Sequence, residues 1–162
     1  MANKLIILGT AGNSRDIVDL VEDIYVSRGE KWECIGFLDD DPSKSGTEIS
    51  GIKVLGNLNS ANKFSGVFFV NAIGSTKNFW FKDKIISKTH IPREKFVTLI
   101  HPSASIFKSA KLGKDVVIFP NVTIASGVSI GDHVIILPNS VLNHDVHIGD
   151  YATIASGVSI SG

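Results

Sequence analysis

A histidine followed directly by an aspartate stands in the segment LNHDVHIGD, residues 142–150. Imidazole titrates near neutral pH, so His144 is suited to accept a proton from an attacking amine or hydroxyl. Asp145 would orient the ring and stabilise its protonated form if a turn brings the two side chains together. In a straight strand they would point to opposite faces. The pair is therefore a candidate general base with its partner; the alternative is a solvated histidine on a surface turn.

Other histidines raise the alternative of a metal site. His144 and His147 are three residues apart, and His133 lies one turn of the repeat away. Histidine nitrogens are common zinc ligands, but this spacing is not distinctive of a zinc site. His101 falls close to the boundary between the two halves of the chain. We therefore predict no metal at this point and keep zinc as an alternative.

A second candidate site begins at the turn GTAGNS, residues 9–14, which follows the apolar run KLIILG. Gly9 and Gly12 would let backbone N–H groups approach a phosphate at the start of the next helix, with Asn13 and Ser14 beside it. The spacing is G-x-x-G rather than the full dinucleotide fingerprint. The same kind of turn also joins strand to helix in many α/β domains.

Polar residues also follow the next two apolar runs. Asp39 and Asp40 end the run CIGFLDDD, where an acidic side chain often binds a ribose hydroxyl or a base edge. Gly74 and Ser75 end VFFVNAIGS. In a parallel sheet all three strand ends share one edge, which favours a nucleotide site there over a set of solvated turns. About 95 residues suffice for one mononucleotide-binding half, which favours a nucleotide sugar over NAD.

The elements that position these residues alternate between strand and helix in the first half. We predict strands over 4–9, 34–41 and 67–75, and helices over 14–28, 58–64 and 77–89, with short strands or a hairpin near 51–56. Such alternation is typical of a parallel, Rossmann-like α/β sheet.

A strict six-residue repeat replaces this pattern after residue 97. An aliphatic residue recurs without a miss at Ile100, Ile106, Leu112, Ile118, Ile124, Ile130, Ile136, Leu142, Ile148, Ile154 and Ile160. This period would scatter the residues around a helix, so short strands joined by turns are predicted instead. Proline and glycine recur every eighteen residues, as at Pro102, Pro120 and Pro138. Three hexapeptides per turn of a triangular solenoid explain both periods.

Composition limits the partners. The 162 residues carry 16 Lys and Arg against 16 Asp and Glu, and one cysteine. This balance gives no electrostatic footprint for nucleic acid or anionic lipid. The first residues predict a strand rather than a signal peptide or a membrane span. We therefore expect a cytoplasmic protein that binds neither nucleic acid nor membrane.

The motifs GTAGNS, FLDD, AIGS and LIHPSA, together with the hexapeptide repeat and H-D-x-x-I-G, resemble bacterial sugar O- and N-acetyltransferases of the sialic acid O-acetyltransferase and bacillosamine acetyltransferase type. The resemblance covers essentially the whole chain. It implies a Rossmann-like nucleotide-sugar-binding domain over 1–97 and a left-handed parallel β-helix over 98–162. It also implies a homotrimer that uses acetyl-CoA as acyl donor, with acetyl-CoA along the β-helix between subunits.

The same resemblance assigns roles to residues. His144 and Asp145 would be catalytic, and the backbone N–H of Gly162, eighteen residues beyond His144, would meet the developing oxyanion. The helix after AIGS often carries an arginine in this group; Lys82 stands in that helix here and receives no role.

Two alternatives remain. One is a zinc-dependent lyase, similar to the trimeric carbonic anhydrases of this fold. The other is a catalytically incomplete binding or scaffold subunit, because the repeat continues to the last residue without further coils or a closing segment. The sequence leaves open the sugar, the nucleotide base and the choice between amine and hydroxyl acceptor.

Overall fold

The structure is a computed structural model that describes residues 2–75 and 78–162. Its contacts divide the chain into two compact units, Met1–Val97 and Thr98–Gly162. Each unit is described by itself.

The first unit contains a five-stranded sheet in the order β3-β4-β2-β1-β5. Its strands are β1 (Asn3–Leu8), β2 (Trp32–Leu38), β3 (Glu48–Ile49), β4 (Ile52–Gly56) and β5 (Phe68–Asn71). All neighbours pair in parallel except β3, which is antiparallel to β4. The predicted parallel α/β sheet is therefore confirmed. The carboxyl ends of β1, β2 and β5 meet at one edge, as predicted.

Two α-helices accompany the sheet, α1 (Gly12–Arg28) and α2 (Lys82–Ser87). The first carries its buried residues, among them Ile17, Leu20 and Ile24, on one side. It ends at Gly29, whose φ of 69° is the left-handed conformation that favours glycine at this position.

Several predicted boundaries were wrong. Residues 58–63 form a 3₁₀-helix, capped by the Asn57 side chain, which accepts from the Ser60 N–H. The predicted helix over 77–89 is a 3₁₀ turn (Phe79–Phe81) followed by α2, and its first residue lies outside the described residues. The strands β2 and β5 end at Leu38 and Asn71, so the polar residues after them lie in loops, where their side chains are not committed to a sheet face.

The second unit is a parallel β-helix made of two-residue strands. They are β6 (Leu99–Ile100), β7 (Ser105–Ile106), β8 (Lys111–Leu112), β9 (Val117–Ile118), β10 (Thr123–Ile124), β11 (Ser129–Ile130), β12 (Ile135–Ile136), β13 (Val141–Leu142), β14 (His147–Ile148), β15 (Thr153–Ile154) and β16 (Ser159–Ile160). They stack into three sheets, in which each strand pairs with the strand eighteen residues away, as in Thr123↔Val141. The predicted period of eighteen is confirmed.

The repeated aliphatic residues form the core of this solenoid. Ile118, Ile124, Ile136 and Leu142 are fully buried, and the valines two positions before the three isoleucines pack into the same cluster. Eight residues at corners between faces are left-handed, and each of them is Asp, Asn, His, Tyr or Gly. Asp145, with φ of 63°, is one of them.

Candidate active site and nucleotide pocket

His144 and Asp145 lie together at a corner of the β-helix. The left-handed backbone of Asp145 turns the chain, so that the Asp145 carboxylate faces the imidazole of His144. The distance from Asp145 Oδ2 to His144 Nδ1 is 3.2 Å. Both side chains are exposed, 69% and 79% respectively. The corner thus brings together two consecutive side chains that would point to opposite faces in a straight strand. With Nδ1 directed at the carboxylate, Nε2 is the nitrogen left to act on a substrate.

Two glycines border this pair, one coil before and one coil after. A Cβ on Gly127 would overlap Asp145 Oδ1 and lie 3.4 Å from its Cγ. A Cβ on Gly162 would lie 2.8 Å from both Nδ1 and Cε1 of His144. The imidazole therefore packs closely over the backbone of Gly162, the residue predicted as an oxyanion donor.

The other histidines have different surroundings. His133 is buried, with Nδ1 2.7 Å from Asp115 Oδ2 and its ring stacked on Tyr151 at 5.0 Å. The Nδ1 of His101 lies 2.7 Å from the Ser103 hydroxyl, and His147 is exposed. Among residues 2–75 and 78–162, no three His, Cys, Asp or Glu side chains are grouped to hold a metal ion. The zinc alternative therefore has no ligand cluster within the described part of this chain.

Cys34 is not a candidate nucleophile. Burial raises the pKa of its thiol to about 12, and a hydrogen bond from the Gly36 backbone only partly opposes this rise. The thiolate, which is the reactive form, is scarce at neutral pH.

A cavity of about 140 Å³ lies at the carboxyl edge of the sheet in the first unit. Five of the predicted nucleotide-binding residues line it: Gly9, Asp39, Asp40, Gly74 and Ser75. They come from the ends of β1, β2 and β5, so the three strand ends converge as the sequence predicts.

Three other predicted residues do not line this cavity: Gly12, Asn13 and Ser14. Ser14 is fully buried, and both its N–H and its hydroxyl donate to the carbonyl of Ala11, at 2.9 and 2.6 Å. The N–H and the hydroxyl of Ser14 thus stabilise the first turn of α1. The N–H of Gly9 donates to the Leu38 carbonyl at 2.8 Å, which links the ends of β1 and β2.

The two aspartates have different partners. Asp39 accepts from the Thr10 hydroxyl at 2.5 Å through one oxygen and from the Asp41 N–H at 2.9 Å through the other. Asp40 accepts the Leu58 N–H at 3.0 Å through Oδ1. Both carboxylate oxygens of Asp39 therefore accept hydrogen bonds from protein groups, whereas the exposed Asp40 accepts one through Oδ1.

Sequence reasoning missed several residues of the cavity wall, chiefly Thr10, Leu58, Asn78 and Ile85. Asn78 Oδ1 accepts a hydrogen bond from the Ser75 hydroxyl at 2.8 Å. Thr10 lies inside the glycine turn and could have been named from the motif. Leu58 and Ile85 carry no chemical signal, and only folding brings them to the cavity.

Comparison with known proteins supports this architecture. The family described as bacterial transferase hexapeptide (six repeats) matches residues 109–144 and 127–162, and the PglD N-terminal domain family matches residues 4–87. No curated protein sequence matches the chain.

Solved structures with the same fold cover the whole chain. The acetyltransferase domain of PglB from Neisseria gonorrhoeae FA1090, in complex with acetyl coenzyme A, is 24% identical with a TM-score of 0.81, over 100% of this chain and 75% of that one. PerB from Caulobacter crescentus, in complex with CoA and GDP-perosamine, is 24% identical with a TM-score of 0.78, over 100% and 73%. WeeI from Acinetobacter baumannii AYE is 23% identical with a TM-score of 0.79, over 99% and 73%.

Two features define the class of protein: a Rossmann-like sheet with a cavity at its strand ends, and a left-handed β-helix of hexapeptide repeats. The chain belongs to the PglD N-terminal domain family, and its second unit is built from the hexapeptide repeats of bacterial transferases. The resemblance inferred from the motifs is thereby confirmed. Within the described residues, no helix has the length and apolar character needed to cross a bilayer.

Proposed function

We propose that this protein is an acetyltransferase that moves an acetyl group from acetyl-CoA to an amine or hydroxyl of a nucleotide-linked sugar, for surface glycan synthesis. The observation that carries the proposal is the His144–Asp145 pair, 3.2 Å apart on an exposed corner of a hexapeptide β-helix. The architecture shared with PglB and PerB, which were solved with acetyl-CoA and with CoA and GDP-perosamine, supports the same reaction.

The chemistry requires one base and one oxyanion donor. Acetyl-CoA supplies the acetyl group as a thioester. The lone pair of the acceptor nitrogen or oxygen forms a bond to the carbonyl carbon as His144 Nε2 takes its proton. The C–S bond then breaks, and the imidazolium returns that proton to the departing sulfur. Asp145 stabilises the imidazolium from the Nδ1 side, and the N–H of Gly162 donates to the carbonyl oxygen as it gains negative charge.

The nucleotide sugar is held in the first unit. Asp39, Asp40, Gly74 and Ser75 contact the nucleotide in the cavity, and Gly9 lets the turn after β1 approach it. Of the three predicted residues outside the cavity wall, Gly12 and Asn13 remain candidates because they open α1, where backbone N–H groups favour an anion. We assign Ser14 a structural role, since its hydroxyl already has a partner.

The assembly and its location follow from the same family resemblance. We propose a homotrimer in the cytoplasm, without nucleic acid or membrane as partner. The equal number of acidic and basic residues supports a small-molecule substrate over a polyanion.

The test is a pair of histidine variants assayed for CoA release with UDP-, GDP- and TDP-linked amino sugars. His144→Ala should lower kcat by roughly 10²- to 10⁴-fold, the usual contribution of a general base. His147→Ala, three residues along and also exposed, should keep most of the activity. Thermal shift with the same sugars should be unchanged in both variants, since the nucleotide binds in the other unit.

The outcomes separate the alternatives. Full activity in His144→Ala would overturn the catalytic assignment. Equal loss in both variants, together with zinc in the purified protein, would favour the lyase. Binding of a nucleotide sugar without any acetyl transfer by the wild-type chain would favour a scaffold subunit.

A further inference from the structure

The side chain of Asn143, the residue before the proposed base, forms a hydrogen bond to the next coil of the β-helix. Its Nδ2 donates to the Ile160 carbonyl at 3.0 Å, and the backbone N–H of Asn143 donates to the same oxygen at 3.0 Å. A carbonyl oxygen has two lone pairs, so it accepts both bonds together. A single residue therefore holds the Ile160 peptide group at two points.

The bond from the side chain is a departure from the repeat. At the equivalent positions one and two coils earlier, Ala125 donates its backbone N–H to Leu142 at 2.9 Å, and Phe107 donates to Ile124 at 3.0 Å. These two side chains have no donor of their own. Of the residues that directly follow the repeated aliphatic residues, only Asn143 carries an amide. The backbone bond is thus common to several coils, whereas the amide is present only beside His144.

The peptide group held by Asn143 leads to Gly162, whose N–H is the proposed oxyanion donor. Only Ser161 separates Ile160 from Gly162. A Cβ on Gly162 would overlap the carbonyl oxygen of His144 and lie 2.8 Å from both Cε1 and Nδ1 of its ring. The backbone of Gly162 is therefore packed closely against His144. A shift of the segment after Ile160 would change the distance between the oxyanion donor and the base.

We propose that Asn143 is a positioning residue for acetyl transfer, which fixes the Ile160 peptide group and thereby holds the Gly162 N–H beside His144. This inference rests on the proposed function and deepens it. The carbonyl oxygen of the thioester gains negative charge only as the acceptor attacks, and a donor stabilises that charge best when it is already in place. Asn143 therefore affects the chemical step and not the binding of either substrate.

The test measures CoA release from acetyl-CoA with UDP-, GDP- and TDP-linked amino sugars, continued with the sugar that the wild-type chain acetylates. Asn143→Leu keeps a similar volume and removes the donor. Its kcat and kcat/KM should fall together by roughly 10- to 100-fold, because a small displacement of a contact to the transition state has an effect of this size. The KM for each substrate should stay within about twofold of the wild-type value. Asn143→Gln keeps an amide donor and should recover most of the kcat.

Ser140→Ala is the matched control. The hydroxyl of Ser140 also donates to a carbonyl of the next coil, that of Ala155 at 2.9 Å, but Ser140 is fully buried inside the solenoid. Loss of this buried hydrogen bond should lower the midpoint of urea denaturation at least as much as Asn143→Leu does. The kcat of Ser140→Ala should stay at the wild-type value.

Four results would overturn this inference and leave the proposed function intact. Wild-type kcat in Asn143→Leu would show that the side-chain bond is unnecessary. A raised KM with unchanged kcat would make Asn143 a substrate-binding residue instead. A loss of the same size in Asn143→Gln would assign the effect to side-chain shape, and one in Ser140→Ala would assign it to a loosened solenoid. A wild-type chain that transfers no acetyl group would overturn the proposed function itself.

Discussion

At the scale of single residues, the geometry of the proposed catalytic pair depends on the backbone around it more than on the packing of its side chains. His144 and Asp145 are both largely exposed, so the core does not hold them. Their geometry comes from the left-handed turn at Asp145, whose N–H donates to the Ser126 carbonyl one coil earlier at 3.0 Å. Gly127 lies beneath the carboxylate and leaves it the space it occupies.

This contact predicts a specific loss of activity in Gly127→Ala. The new methyl group would displace the Asp145 carboxylate from His144, so kcat should fall by roughly 10- to 100-fold, as when a positioning contact is misplaced. Replacing a left-handed glycine should also cost about 1–2 kcal/mol of unfolding free energy. Steady-state kinetics and urea denaturation measure the two effects.

Gly157→Ala is the control for that experiment. Gly157 has nearly the same φ, 71° against 73°, but nothing lies within 4 Å of a Cβ placed on it. It should lose similar stability and keep its kcat. Equal kinetic loss in both variants would mean that backbone strain, and not the position of Asp145, controls the rate.

At the scale of elements, strands of only two residues persist because each is paired above and below in an unchanged register. The β10 strand pairs with β7 and with β13, always eighteen residues away. Too short to be stable alone, these strands gain their stability from the aliphatic column that runs through all coils. Ile124, in the middle of the column, is fully buried.

The importance of the column can be measured with Ile124→Ala. Deleting a fully buried isoleucine leaves a cavity that a closely stacked solenoid cannot collapse around, so the loss should be about 2–5 kcal/mol. Val26→Ala removes methyl groups from a side chain that is 77% exposed and should stay within about 0.5 kcal/mol of wild type. Urea denaturation followed by circular dichroism compares them. A loss below about 1 kcal/mol for Ile124→Ala would contradict a tightly packed core.

At the scale of the whole molecule, the two units divide the proposed work. The first provides a cavity at its strand ends, and the second provides the proposed base at a corner of the β-helix. The proposed homotrimer should have three times the chain mass of 17.4 kDa in light scattering coupled to gel filtration. A monomer that nevertheless transfers acetyl groups would show that the trimer is unnecessary for the reaction.

The sequence by itself determined the fold of the second unit and the edge that carries the cavity. An aliphatic residue every six positions is buried when the chain forms a solenoid of six-residue faces, and the hand of that solenoid came from the resemblance to a known family. Parallel strands place their carboxyl ends at one edge whatever the side chains are. The His144–Asp145 pair could also be recognised from the sequence, because a histidine followed by a carboxylate stands out in a repeat of mostly apolar and small residues.

Only the tertiary structure decided how individual side chains at these places are used. The Ser14 hydroxyl turned out to donate to the Ala11 carbonyl in the first turn of α1. The Asp39 carboxylate turned out to accept from the hydroxyl of Thr10, 29 residues earlier in the chain. Asp40 turned out to line three pockets of the first unit, with one of its oxygens accepting the Leu58 N–H. The physical reason is that the orientation of a loop side chain depends on partners that are distant in the sequence, so the local sequence does not predict it.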